Sequence, residues 1–150
     1  MNDRFGTVDV APVILGAAEA QTKQSEIPAR IPGMFDVVYA WLPSSGVTQA
    51  GQNYVVYDRF SPDGMRMRVG FPVSRRFASA EQVQCIELSG GRAAHTTHVG
   101  AYSGIPAATM ALNAWCAQQS LSLAGVAWEV YGDWNADESQ LVTDIYFRLT

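Results

Sequence analysis

A chain of 150 residues suffices for one compact domain, and 48% hydrophobic with only 16% charged residues excludes a disordered chain or a nucleic-acid coat. Ten Lys and Arg against fourteen Asp and Glu leave a net charge of −4, which argues against a phosphate-backbone partner and mildly favours cations. The apolar runs are far too short to span a membrane and Met1-Asn2-Asp3-Arg4-Phe5-Gly6 opens no leader, so a cytoplasmic protein with no direct nucleic-acid or membrane contact is expected.

In chain order, residues 8–22 are small and apolar and read as one strand. Pro28, Pro32 and Gly33 punctuate the entry to a helix. Ile31, Met34, Phe35, Val38, Trp41 and Leu42 then recur at helical spacing until Pro43-Ser44-Ser45-Gly46 ends it. Residues 52–60 and 66–73 are rich in β-formers and flank Ser61-Pro62-Asp63-Gly64, a turn signal, so they predict a hairpin. Residues 83–99 read as a long strand bulged at Gly90-Gly91. Ser103 suits an N-cap and Pro106 a first helical turn, and the stripe Ile105, Ala108, Leu112, Trp115, Cys116 follows. Residues 126–132 and 141–149 predict a closing hairpin.

The second half thus repeats the first. Gly51-Gln52-Asn53-Tyr54-Val55-Val56-Tyr57 aligns with Gly125-Val126-Ala127-Trp128-Glu129-Val130-Tyr131 at an offset of 74 (51 to 125), which also sets Ile31-Pro32 on Ile105-Pro106 and Trp41 on Trp115. The expected fold is α+β, with tandem pseudo-symmetric β-α-β-β modules and antiparallel sheets around a central groove. One domain is expected over 1–150, with module one over about 8–74 and module two over about 82–150. The symmetry breaks where Val55 is answered by a lone acid, Glu129.

Strand alternation sets Tyr54, Val56, Trp128 and Val130 on one side, and Val55, Tyr57, Glu129 and Tyr131 on the other. The first, all-apolar set is expected under the helices, which leaves Glu129 and Tyr131 on an open face. Ile145, Phe147 and Leu149 alternate with Tyr146, and Tyr146 is expected beside Glu129. A strand carboxylate most often faces solvent. Here its neighbours are aromatic and the second half contains no Lys, which suggests a small-molecule pocket with one charged handle. In such a site a cation about 4 Å away is attracted by roughly 4 kcal/mol before desolvation is subtracted, and each aromatic face adds about 0.5–2 kcal/mol.

Other motifs carry less. His95 and His98 are three apart, which puts their rings on opposite faces of a strand, and no third ligand stands nearby, so no metal is expected. Asp133-x-Asn135-x-Asp137 mimics a calcium loop, but Glu138 stands where the turn needs glycine, and a polar hairpin loop fits better. Arg66, Arg68, Arg75 and Arg76 read as a solvated hairpin edge. Cys85 and Cys116 read as reduced thiols. Trp41 and Trp115 suit the core or the walls of a groove, and Tyr102 stands at a turn where a phenol can reach over a pocket mouth.

The second half resembles the GyrI-like small-molecule-binding domains, the AraC-type effector-binding family. The resemblance rests on residues 91–102, the helix ending in Trp115, Trp128-Glu129-Val130-Tyr131 and Thr143-Asp144-Ile145-Tyr146-Phe147-Arg148-Leu149. Residues 51–57 and Val69-Gly70-Phe71-Pro72-Val73 fit more loosely. It implies tandem modules enclosing a groove in which a glutamate meets cationic, lipophilic aromatic compounds. Glu129 would be the acid, with Tyr102 and Tyr146 as aromatic walls; Tyr57, Trp115 and Tyr131 follow from the repeat. The chain departs from the family in having Gly100-Ala101-Tyr102 for the usual Gly-Pro-Tyr, and Arg148 for a proline near the end of the last strand. Within these 150 residues no helix-turn-helix of the kind fused to many relatives is expected.

The expectation is a stand-alone protein that senses or sequesters amphipathic, cationic aromatic compounds without a cofactor. Two alternatives follow from the resemblance. One is a hydrolase of strained lipophilic compounds with Glu129 as general base. The other is a gyrase-inhibitor-like module with a protein partner, for which the acidic loop 133–138 is the place to look.

Overall fold

The computed structural model describes residues 4–150. The expected domain start at residue 1 and the leader reading of residues 1–3 lie outside the described residues. The elements run β1 (Gly6–Val10), β2 (Val13–Thr22), α1 (Ile27–Trp41), β3 (Tyr54–Ser61), β4 (Gly64–Pro72), β5 (Gln84–Leu88), β6 (Gly91–Val99), α2 (Ile105–Gln118), β7 (Leu123–Tyr131) and β8 (Val142–Leu149). The strands form one antiparallel, eight-stranded sheet in the order β1-β6-β8-β7-β3-β4-β2-β5, so the two expected halves merge into a single α+β sheet. No described helix is long and apolar enough to cross a membrane.

The strand expected over residues 8–22 is two strands, broken at Ala11-Pro12, and the one expected over 83–99 is broken at Ser89-Gly90. Pro12 has no N–H for a ladder bond. The deeper cause is partner exchange. β1 of module one pairs with β6 of module two, while β5 pairs back with β2. Each module is therefore β-β-α-β-β, with its first strand lent to the other. The two crossovers press together: a Cβ on Gly90 would stand 2.8 Å from Pro12 Cδ and 3.0 Å from the Val10 carbonyl oxygen.

Helix boundaries also shift. α1 starts at Ile27, with Pro28 in the first turn where its missing N–H costs nothing, and Pro32 lies inside the helix. α2 starts after Gly104, and the expected cap Ser103 falls within a short 3₁₀ turn, Tyr102–Gly104. Pro106 stands in the first turn as its chemistry requires.

Both helices cover the same face of the sheet. α2 lays Ile105, Leu112 and Cys116 on Ala94, Ile145, Phe147 and Leu149. α1 lays Ile27, Ile31, Met34 and Phe35 on Val55, Met67 and Val69, and continues through Val38 onto Phe71, Val73 and Val83. Each fully buried Leu or Val contributes about 1.5–3 kcal/mol. On the other face Val10, Ile86 and Leu88 from the sheet edges pack with Leu15, Val56, Ala93 and Trp128 from its middle, so the sheet curls around that face into a half-barrel.

Candidate functional site

β3 and β7 lie side by side at the centre of the sheet, with Tyr54 opposite Val130, Val55 opposite Glu129 and Val56 opposite Trp128. The repeat offset maps Val55 onto Glu129, its own pairing partner. A pseudo-two-fold axis therefore passes between these two side chains, on the face of the sheet that both helices cover. The same operation maps Tyr57 onto Tyr131, and the two phenols converge on the axis from opposite modules.

Glu129 is only 8% exposed. The Tyr131 hydroxyl donates to its Oε1 at 2.6 Å, and the Tyr57 hydroxyl donates to the same oxygen at 3.4 Å. Oε2 receives no hydrogen bond from a described residue, and no described Lys or Arg bridges the carboxylate. Burial pushes the Glu129 carboxyl above its ordinary range, against the smaller lowering effect of the two phenols. Burial and the Glu129 charge push both phenols upward, so they stay protonated as donors. The arrangement is a desolvated acid with one oxygen held and one spare.

Around it, Tyr102 sets its ring edge-on to Tyr131 at 5.6 Å and is 42% exposed, which puts it at the outer margin of the cluster. Thr143, opposite Tyr131 in β8, is fully buried with a hydroxyl that lacks a partner. Its counterpart in module one is Met67, opposite Tyr57 in β4. Module two thus sets Glu129 and Thr143 against Val55 and Met67 of module one. Sequence reasoning passed over Thr143, although a polar residue in register with the inward Ile145 and Phe147 was the available signal.

Several placements differ from expectation. Glu129, Tyr131, Val55 and Tyr57 lie on the helix-covered face, because the curl of the sheet buries the apolar set without help from a helix. Tyr146 lies across the sheet from Glu129: β7–β8 register sets Tyr146 opposite Trp128 and Ile145 opposite Glu129. Its ring stacks on Trp128 at 5.2 Å. Of the two readings for Trp115 and Trp41, the core one holds: each packs against a buried cluster under its own helix. Trp115 stacks on Phe5 at 5.9 Å and Trp41 packs on Phe77 at 4.7 Å.

His95 pairs with Asp144 at 2.8 Å, and His98 meets the Ala101 carbonyl at 2.8 Å. Arg66 and Arg68 are not a solvated edge. They are 16% and 14% exposed and converge on the buried Asp58 at 2.6 and 3.1 Å. Asp133 accepts from Gln52, and Asp137 caps a 3₁₀ turn. Cys85 is half-buried and Cys116 buried, both free thiols.

The GyrI-like small molecule binding domain model matches residues 18–150. Among solved structures, the chain superposes on the EcmrR C-terminal domain with a TM-score of 0.81 at 17% identity, covering 98% of this chain and 97% of that one. It matches SAV2435 bound to tetraphenylphosphonium with a TM-score of 0.74 at 13% identity, over 98% and 94% of the two chains. A hydrolase encoded by lin2189 from Listeria innocua follows at 0.63 and 7%, over 99% and 93%. At such identities the likeness carries the fold. No curated protein sequence matches the chain.

Proposed function

Because the chain belongs to the GyrI-like family of small-molecule-binding domains, we propose that it senses or sequesters amphipathic, cationic aromatic compounds on the helix-covered face of the sheet, with Glu129 as their counter-charge. One observation carries this reading: a buried carboxylate on the pseudo-two-fold axis that, among the described residues, has no basic partner and leaves Oε2 unengaged. A buried, unpaired charge is costly, and a ligand cation would offset that cost. Tyr57 and Tyr131 fix the acid, and Tyr102 offers an aromatic wall for cation–π contact. Trp115, on α2, packs against the same buried cluster as Tyr131. The tetraphenylphosphonium held by SAV2435, a lipophilic aromatic cation on the same fold, supports this ligand class.

The test is a titration with tetraphenylphosphonium followed by Trp quenching, in wild type and Glu129→Gln. Saturable binding weakened at least tenfold in the variant, about 1.4 kcal/mol, is expected. Equal affinity in both would remove the role of the charge.

A second reading is hydrolysis of strained lipophilic compounds with Glu129 as general base. It is favoured by the upward shift that burial gives the Glu129 carboxyl and by the fold shared with the Listeria innocua hydrolase. Turnover of a neutral, strained-ring ester or epoxide that disappears in Glu129→Gln while substrate binding persists would select it over simple binding.

A further inference from the structure

On the face away from the helices, the curl of the sheet encloses a cavity of about 230 Å³. Ala11 from one strand crossover and Ser89 from the other, both exposed, belong to its lining. Tyr54, Trp128 and Tyr146 supply aromatic walls, and Val10, Val13 and Leu88 complete the apolar lining. The Trp128 and Tyr146 rings lie nearly parallel, at 10°. Tyr54 and Trp128 are symmetry mates, so this cavity straddles the same axis as Glu129, from the other side of the sheet.

Its electrostatics are reversed. No carboxylate lines it. Arg148 adjoins two of the lining residues, with the guanidinium carbon 4.9 Å from the Trp128 ring centroid and Nη2 donating to the Ser89 carbonyl. Among the described residues Arg148 has no acidic partner, and its Nη1 is buried without a hydrogen bond. Asp144, an acid on the same face of β8, is engaged by His95 and Thr97, each at 2.8 Å. A partly buried guanidinium without a counter-ion, beside an aromatic cavity, is matched to an anion carried on a flat ring.

We propose that this cavity is a second small-molecule site, which takes a flat aromatic carboxylate with its ring against Trp128, Tyr146 and Tyr54 and its carboxylate on Arg148. The site is opposite in sign to the Glu129 site and independent of it. β7 carries both, through the adjacent residues Trp128 and Glu129.

The probe is 2-naphthoate, titrated into the full chain while the Trp128 indole N–H signal is followed by NMR, with 2-naphthalenemethanol as the uncharged control. Saturable binding of the carboxylate is expected, at least tenfold tighter than the alcohol. Arg148→Gln should weaken it at least tenfold, and Glu129→Gln should leave it within twofold. Ala11→Phe fills the cavity from an exposed position and should abolish binding; this variant carries the test if Arg148→Gln does not fold. No saturable shift of Trp128 in wild type would overturn the proposal. So would equal affinity for the alcohol, an unchanged affinity in Arg148→Gln or Ala11→Phe, or a loss in Glu129→Gln that places the naphthoate at the other site.

Discussion

Val55 and Glu129 are at once symmetry mates in the sequence repeat and direct neighbours across β3 and β7, so the pseudo-two-fold axis of the fold runs between them. A residue on such an axis is reached equally by both modules. That is why a single substitution there, an acid for a valine, gathers one tyrosine from each half.

The two phenols should be unequal despite their symmetry. Tyr131 donates at 2.6 Å and Tyr57 at 3.4 Å, a distance at the weak end for O–H···O. At pH 8, Tyr131→Phe should cost about 1.5–3 kcal/mol of unfolding free energy, the range for a hydrogen bond to a charged group, and Tyr57→Phe well under half of that. Urea denaturation of both variants, alone and on the Glu129→Gln background, measures the difference. Equal losses in the two would contradict it.

Glu129 should make stability depend on pH. Its carboxyl is raised in the folded protein above the ordinary 4.5, so the folded state binds more protons than the unfolded one in that window. Its contribution is therefore neutral below the unfolded value. Stability then falls as pH rises toward the folded value and stays flat above it. Wild type and Glu129→Gln should have similar melting temperatures near pH 4, and the variant should be the more stable at pH 8. A gap that narrows with rising pH would reverse the sign.

Restoring the symmetry should be harmful. Val55→Glu would place a second carboxylate opposite the first at a fully buried position, with Cβ atoms about 4.5–5.5 Å apart. The two acids would share one proton at low pH and repel at high pH. The loss of stability should exceed about 3 kcal/mol at pH 8 and shrink markedly at pH 4.5, as read by denaturation at the two values.

Gly70 is required by a close approach between β4 and β2. A Cβ there would lie 1.8 Å from the Gly16 carbonyl oxygen, which is backbone and cannot step aside. Gly70→Ala should cost more than about 3 kcal/mol or abolish folding, beyond ordinary overpacking. Gly33→Ala, where a Cβ meets nothing within 4 Å, is the control that should not destabilise.

Strand exchange carries an aromatic to each helix. Phe5, just before β1, stacks on Trp115 of α2, and Phe77, before β5, packs on Trp41 of α1. Phe5→Ala and Phe77→Ala should each cost about 1–3 kcal/mol. Each should red-shift the fluorescence of its own tryptophan. Changes confined to the module that contains the mutated residue would argue against the exchange.

The repeat, the two helical stripes, the two hairpins and the singular Glu129 were all legible in the residues. So was the alternation that groups Glu129 with Val55, Tyr57 and Tyr131, because side-chain period along a strand is a local property. Pro12 and Gly90 were the available signals for the two strand breaks, which the reading of 8–22 and 83–99 as single strands passed over. What they could not mark is where the chain goes next, because a crossover to the other module's edge is decided by distant partners.

Sequence alone determined that this protein is an α+β doublet with one acid at the centre of its second copy. Only the tertiary structure decided that the acid lies under the helices, and that Tyr146 belongs to the opposite face. Two physical reasons account for this. Register between neighbouring strands is non-local, and a shift of one residue exchanges the faces of every side chain in a strand. A sheet that curls on itself buries both of its faces, so apolar character no longer tells which one the helices cover.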